Sequence, residues 1–377
     1  MGPLNQDWEV RSLDDLDPGA LQLVSDFFNE HFPGVFYPKC TPDIFTWKLG
    51  SSNPAGRGFL TVAMSNGLVV GTASGTRKVL IENNKLLEAI EIGDTFTHPN
   101  FRKNGKCMTP LHPDADEDKY FTVSIFGRLV SETITRAQLN GIDFVYGTPN
   151  ENSKPPYLKR LKFNEIDQGK IYSKVVITPE FAPLHRIRWI LKLTQTFTQL
   201  LTHILSFLIL GKNSVREISN DEFLEIYKEE MTISKHKTNR IYLVNNYQVL
   251  YHRYVSHPNH KYRFFQINVK GFNKGVLIST DVLRPSGVNS FVVSDWLFSD
   301  EKTQKRLPLF ISKLRSYNQK SETISFWELG QSMKVTNLFL GIITRKKISV
   351  IAKDYRVSDA GYAPEFGDFH IGWSDNG

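Results

Sequence analysis

Apolar residues at Leu184, Ile187, Leu191, Phe197, Leu201, Ile204 and Leu208 recur at helical spacing, which predicts a long amphipathic helix over 183–210 that Gly211 stops. Pro179 and Pro183 precede it and a strand-like VREI follows Ser214, so it reads as a linker packed between two halves, with a membrane-surface helix as the alternative. Its most apolar part, 197–210, has 14 residues including Gln199 and His203, short of the roughly 20 needed to span a bilayer.

The halves share a pattern. Pro54 is followed 13 and 17 residues later by Gly67 and Gly71, and Pro258 at the same intervals by Gly271 and Gly275. Runs rich in β-branched and aromatic residues flank Asn66-Gly67 and Lys270-Gly271, which predicts a strand, a tight turn and a strand in each half. A further strand follows, through Asp94 in one half and Asp295 in the other. Helical stripes come next, at 121–140 (Ile125, Leu129, Ile134, Ala137) and at 305–318, then a strand (DFVYG; TISFWEL) and a short basic helix (PPYLKRLKF; KVTNLFLGI). The expected fold is mixed α/β: two repeated units, each a largely antiparallel mixed sheet flanked by helices. The expected bounds are 1–180, a helical linker at 181–212, and 213–377.

Composition narrows the function classes. At 377 residues, 40% apolar and 23% charged, the chain is long enough for two cores and unlike collagenous, coiled-coil or disordered sequences. Two cysteines, Cys40 and Cys107, suggest a reducing compartment, and the N-terminus has no signal-like pattern, so a cytoplasmic location without a transmembrane segment is expected. The surplus of 46 basic over 39 acidic residues suits a phosphate-bearing ligand. Without a basic helix or stacked aromatic platform, nucleic acid is not an expected partner. His252, His257 and His260 have no carboxylate or thiolate at metal-ligand spacing, so no metal is expected.

The most specific segment runs Thr97-His98-Pro99-Asn100-Phe101-Arg102-Lys103-Asn104-Gly105-Lys106-Cys107, a turn with cations and a glycine where main-chain N–H groups can share a pyrophosphate's charge. With Pro149-Asn150-Glu151-Asn152-Ser153, it resembles the GNAT superfamily of acetyl-CoA-dependent N-acetyltransferases, whose pyrophosphate loop follows the fourth strand; the likeness spans most of 8–178. Thr97 and Cys107 depart from the family's valine and small residue, and 108–119, with two prolines and four acids, separates the loop from the next helix. The second half has Ser299–Gln304, without glycine, in the loop's place; it is similar to the degenerate partner domain of tandem GNAT enzymes that acetylate nucleotide-linked amino sugars.

The resemblance implies acetyl-CoA as co-substrate, bound by Phe96, Thr97, Arg102 to Cys107, Asn150 and Ser153. The acceptor, a dTDP- or UDP-linked amino-deoxy sugar, would lie between the halves near Trp47, Lys48, Arg253, Tyr254 and His257. Direct attack of an amine on a thioester needs positioning, a polarised carbonyl and a route for one proton, for which Glu91 and Asp94 are the candidate acids. Asp94 has a structural reading too, as a cap for nearby amides. Aligned on Phe163, the family's thiolate-protonating tyrosine falls on Leu158, so Tyr157 is expected to face elsewhere. Alternatives are acetylation of a peptide or protein amine and a non-catalytic CoA-binding scaffold; homodimer formation is left open.

Overall fold

The computed structural model describes residues 7–31, 40–83, 85–102, 107, 109, 124–175, 197, 200, 204, 208–211, 214–228, 240–283, 289–298, 301–304, 306–314, 323–329, 342–355 and 365–366. In the first half β1 (Glu9–Ser12) is followed by α1 (Pro18–His31), α2 (Pro42–Leu49), β2 (Phe59–Ser65), β3 (Leu68–Glu82) and β4 (Lys85–Thr97). Then come a 3₁₀ turn (Pro99–Phe101), α3 (Ile125–Leu139), β5 (Phe144–Gly147), α4 (Lys154–Lys159) and β6 (Asn164–Val175). The second half runs β7 (Val215–Ile218), α5 (Asn220–Lys228), β8 (Arg240–Leu243) and α6 (Tyr247–Leu250), which continues into a π turn (Tyr251–Val255). It then forms β9 (Tyr262–Val269), β10 (Phe272–Leu283), β11 (Asn289–Phe298), α7 (Glu301–Gln304), α8 (Leu307–Leu314), β12 (Thr323–Leu329), β13 (Ile342–Asp354) and β14 (Glu365–Phe366).

Both predicted hairpins form. Asn66-Gly67 and Lys270-Gly271 have positive φ at each residue, the geometry that matches strand twist in a two-residue turn. Small residues then set the layers. On β3 the odd positions Gly71, Ala73 and Gly75 face α3, and a Cβ at Gly71 would lie 2.4 Å from Ile125 Cγ2. Only a residue without a side chain lets the helix start so close to the strand. Ser124 begins that helix by accepting a hydrogen bond from Gly127 N–H. The opposite face of the sheet is covered by α1 and α2, whose Leu21, Val24, Phe28, Phe45 and Leu49 pack on Leu60, Val62 and Val69.

Each half is a mixed sheet flanked by helices, as expected, with β4 parallel to β5 in the first and β11 parallel to β12 in the second; β14 also runs parallel to β8, which pairs antiparallel with β3. The sequence does not reveal how the halves join. Strands β6 and β13 change places, giving one continuous sheet in the order β1-β2-β3-β4-β5-β13-β6-β12-β11-β10-β9-β7. The second half's β13 pairs with β5, the first half's β6 pairs with β12, and β6 and β13 pair with each other. The edges that β5 and β12 would otherwise present are thereby closed.

In the linker, Phe197, Leu200, Ile204 and Leu208–Leu210 are helical, and Gly211, with φ +87°, ends the run as predicted. Leu210 enters the second core, whereas Phe197, Leu200, Ile204 and Leu208 are exposed rather than packed between the halves. Among the described residues no helix is long and apolar enough to cross a membrane. Of the expected helix KVTNLFLGI, all but Ile342, which begins β13, lies outside the described residues.

Tyr172 stands mid-way along β6 and pairs with both Phe326 and Thr344. Tyr172→Pro is expected to speed amide hydrogen exchange in β3 and β10 alike, because a proline removes a donor at the strand both halves share. Acceleration confined to one half would contradict the exchanged-strand arrangement.

Candidate active site

The ladder between β4 and β5 is short. It pairs Ala89, Ile90 and Glu91 with Phe144, Val145 and Tyr146 and stops there, β4 continuing against β3 and β5 against β13. Just past the separation β4 bulges: Thr72 faces Phe96 and Ser74 faces Gly93, so Asp94 and Thr95 together oppose Ala73. Asp94 has φ +47°, a left-handed conformation that an aspartate adopts only at some cost. Three groups hold it. Lys48 Nζ lies 2.9 Å from Asp94 Oδ2, Ser74 Oγ donates to the same oxygen at 2.6 Å, and Thr72 Oγ1 donates to the Asp94 carbonyl at 2.6 Å. The Lys48 and Asp94 side chains are 4% and 3% exposed, so this ion pair is shielded from water and salt.

Thr72, Ser74, Thr76 and Lys78 alternate along β3 and are all buried on the face away from α3. Glu91 joins them from β4, its Oε2 3.6 Å from Lys78 Nζ. Both candidate acids thus lie on one polar stripe. Asp94 is engaged by three donors at its side chain and carbonyl, the arrangement of a residue that fixes the bulge. Glu91 is paired with a lysine at a longer distance.

Beyond the bulge, His98 Nδ1 accepts from Asn100 N–H and starts the 3₁₀ turn, while Arg102 Nε donates to the Thr97 carbonyl and the guanidinium lies 5.8 Å from the Phe96 ring centroid. Lys103, Asn104, Gly105 and Lys106 lie outside the described residues. Cys107 forms a parallel bridge with Trp8, and Thr109 Oγ1 accepts from Val10 N–H, so the start of the 108–119 segment runs along β1. Across the wedge, Asn150 Oδ1 accepts from the N–H groups of Asn152 and Ser153, making the turn that begins α4. Burial raises both thiols, Cys40 to about 12, which disfavours the thiolate form of each.

Tyr157 corrects the sequence reading. It is buried among Phe126 and Phe163, and its hydroxyl shares a hydrogen bond with the side chain of Thr95. It therefore reaches the bulge instead of facing elsewhere. Burial drives its pKa well above the ordinary tyrosine value, so the hydroxyl keeps its proton.

The second half closes the site from the other side. Trp47 Nε1 donates to the His252 carbonyl at 2.9 Å, and the Trp47 ring stacks on His252 with centroids 4.8 Å apart. His257 lies 4.4 Å from the same indole, its Nδ1 accepting from Asn259 and His260 N–H. Arg253 and Tyr254 belong to the same π turn, but Tyr254 points into its own half and donates to Asp295 Oδ2 at 2.5 Å. β11 also bulges beside that aspartate, Ile278 facing Asp295 while Ser279 faces Val293. A small pocket of about 20 Å³, partly open to solvent, lies at the seam between Asn53, Ala55 and Lys78 on one side and Val249, His252 and Arg253 on the other. Among the described residues no group of histidine, cysteine and acidic side chains could hold a metal ion.

Sequence reasoning brought Lys48 and Asp94 forward separately and missed their pairing, as well as Ser74, Lys78 and Thr95. One signal was available: the alternating Thr72, Ser74, Thr76, Lys78 is unusually polar for a strand whose neighbours are apolar.

Comparison with solved structures bears on this architecture. N-myristoyltransferase of Saccharomyces cerevisiae with bound myristoyl-CoA superposes with TM-score 0.58 at 12% identity, over 94% of this chain and 80% of that one. A GCN5-related N-acetyltransferase of Anabaena variabilis gives 0.52 at 11%, and a probable N-acyltransferase of Enterococcus faecalis 0.53 at 9%, each over 92% of this chain and 73% of the other. The fold is that of the GCN5-related N-acyltransferases. No protein-family model and no curated protein matches the sequence.

Lys48→Met leaves the Asp94 carboxylate buried without its cation and is expected to lower stability by about 3–5 kcal/mol. Adding Asp94→Asn should restore part of the loss. Urea denaturation of the two single variants and the double variant checks this; additive losses would show that the two side chains do not interact.

Proposed function

We propose that the protein is an acetyl-CoA-dependent N-acetyltransferase in which the first half holds the carrier and the amine enters between the halves. The observation that carries this reading is the parting of β4 from β5 at Glu91 and Tyr146, directly before a clamped bulge that Tyr157 reaches from the far side. A parted parallel pair leaves main-chain groups of one strand unmatched by the other, which suits an extended ligand lying between them. The residues that would hold the carrier are Phe96 and Thr97 on β4, the turn from Arg102 to Cys107, and Asn150 with Ser153 at the start of α4. Bound there, acetyl-CoA supplies a thioester already activated toward an amine.

The chain's own part is positioning and proton management. The N–H group of Thr97, on the edge of β4 away from β3, polarises the acetyl carbonyl. Asp94, held by Lys48, keeps it turned that way and acts as a positioning residue. As the new C–N bond forms and the C–S bond breaks, the proton from the amine passes to Glu91 through water, and Tyr157 donates its hydroxyl hydrogen to the departing sulfur. The acceptor we favour is a dTDP- or UDP-linked amino-deoxy sugar, supported by the resemblance of Pro149 to Ser153 and by a seam with cations from both halves.

CoA release by the purified protein with acetyl-CoA and a panel of dTDP- and UDP-amino sugars tests the reading. Turnover on one of them is expected; silence across the panel with turnover on a peptide amine would move the acceptor class, and CoA binding without any turnover would favour a scaffold. In an active assay, Tyr157→Phe is expected to lower kcat about 10²-fold or more with the KM for acetyl-CoA unchanged. An unchanged kcat would remove Tyr157 from the chemistry.

A further inference from the structure

Four large apolar side chains of the linker helix face water. Phe197, Leu200, Ile204 and Leu208 are 48–69% exposed. At about 100° per residue they fall within an arc of about 80°, so they form one stripe along the helix. Leu210 points the opposite way and belongs to the second core. A lone exposed leucine is ordinary surface, whereas four in register make a continuous apolar strip that calls for a partner. The end of the helix is fixed to the second half: Lys270 N–H donates to the Leu210 carbonyl at 2.9 Å, and Lys313 Nζ to the Gly211 carbonyl at 3.5 Å. The first of these bonds sets the β9–β10 turn beside the helix terminus. That turn, Lys270-Gly271, is followed by Phe272, which is 72% exposed, and by Lys274. A second exposed aromatic ring, flanked by lysines, thus adjoins the stripe.

Charge narrows the choice of partner. From 181 to 213 the sequence has Arg186, Arg188, Lys192 and Lys212 and no aspartate or glutamate. A second copy of the stripe would bring the same cations and no acid to meet them. An anionic bilayer offers both complements at once, acyl chains for the apolar side chains and phosphate headgroups for the lysines and arginines. Among the described residues no helix is long and apolar enough to cross a membrane, so the contact is with the surface. We propose that the linker helix and the β9–β10 turn together dock the protein on an anionic lipid surface. The helix lies in the plane of the headgroups, with Phe197, Leu200, Ile204 and Leu208 toward the acyl chains and Phe272 entering beside its end. Because part of the attraction is between charges at the interface, the docking is reversible and weakens as salt is raised. The proposal does not rest on the acyl-transfer reading, since the surface would serve whatever chemistry the wedge performs.

Flotation of the whole protein with lipid vesicles provides the test, one set made of phosphatidylcholine alone and one of an equal mixture with phosphatidylglycerol. Binding is expected to the mixture, with loss on raising the salt, and little to phosphatidylcholine alone. The double variant Leu200→Glu/Leu208→Glu puts carboxylates on the stripe at exposed positions, and it should weaken binding to the mixture about tenfold or more. Phe272→Glu should weaken it in the same direction, and it decides the matter alone if the double variant fails to fold. Leu139→Glu changes a comparably exposed leucine at the end of α3 and should leave binding as it was. No flotation with the mixture, equal flotation with phosphatidylcholine alone, or binding that both stripe and turn variants leave unchanged overturns the proposal. A lipid-free dimer that Leu200→Glu/Leu208→Glu converts to a monomer would assign the stripe to a second copy and overturn it as well. None of these readouts depends on turnover, so failure here leaves the acyltransferase reading standing.

Discussion

A carboxylate that is forced into a left-handed turn and kept there organises the first half. Asp94 would relax toward ordinary strand geometry, at a gain of about 1–2 kcal/mol, if its backbone were free. Lys48 and Ser74 on its side chain and Thr72 on its carbonyl hold it. Charged hydrogen bonds away from water are worth more than that strain. Because β4 stays bulged, its last residues separate from β5, the strands form a wedge, and the hydroxyl of Tyr157 can meet Thr95 at its apex.

The second half repeats the device and turns it to another end. An aspartate sits at a bulge in β11, and a residue from the preceding helical segment donates to it, but the donor is the neutral Tyr254 in place of a lysine. Beyond that bulge the chain enters the short helix α7, which begins with Glu301. The exchange of β6 and β13 makes the halves one sheet, so the second half presents Arg253 and His252 to β3 of the first at a fixed height.

Much of the fold was legible because it is local. The paired glycine spacings announced both hairpins, and the apolar stripes announced α3 and α8. Strand exchange was invisible, since β6 and β13 have the same alternation whichever half they join. The site divides in the same way. Most of the proposed loop from Arg102 to Cys107 lies outside the described residues, whereas Asp94, Lys48, Trp47 and Arg253 stood out as chemistry-bearing residues. Their partners did not, because the Lys48–Asp94 pair spans 46 residues and the Trp47–His252 contact 205. Tyr157 was misread for a related reason. Its contact with Thr95 joins positions far apart in sequence, which no count along the helix reveals.

The most direct measurement is a crystal structure of the protein with CoA bound. The account predicts the thiol end of the ligand between β4 beyond Asp94 and β5 beyond Tyr146, within hydrogen-bonding distance of the Tyr157 hydroxyl, with the pyrophosphate on the turn that follows Arg102. CoA lodged against β11 in the second half, or a β4 whose bulge flattens when the ligand binds, would contradict it.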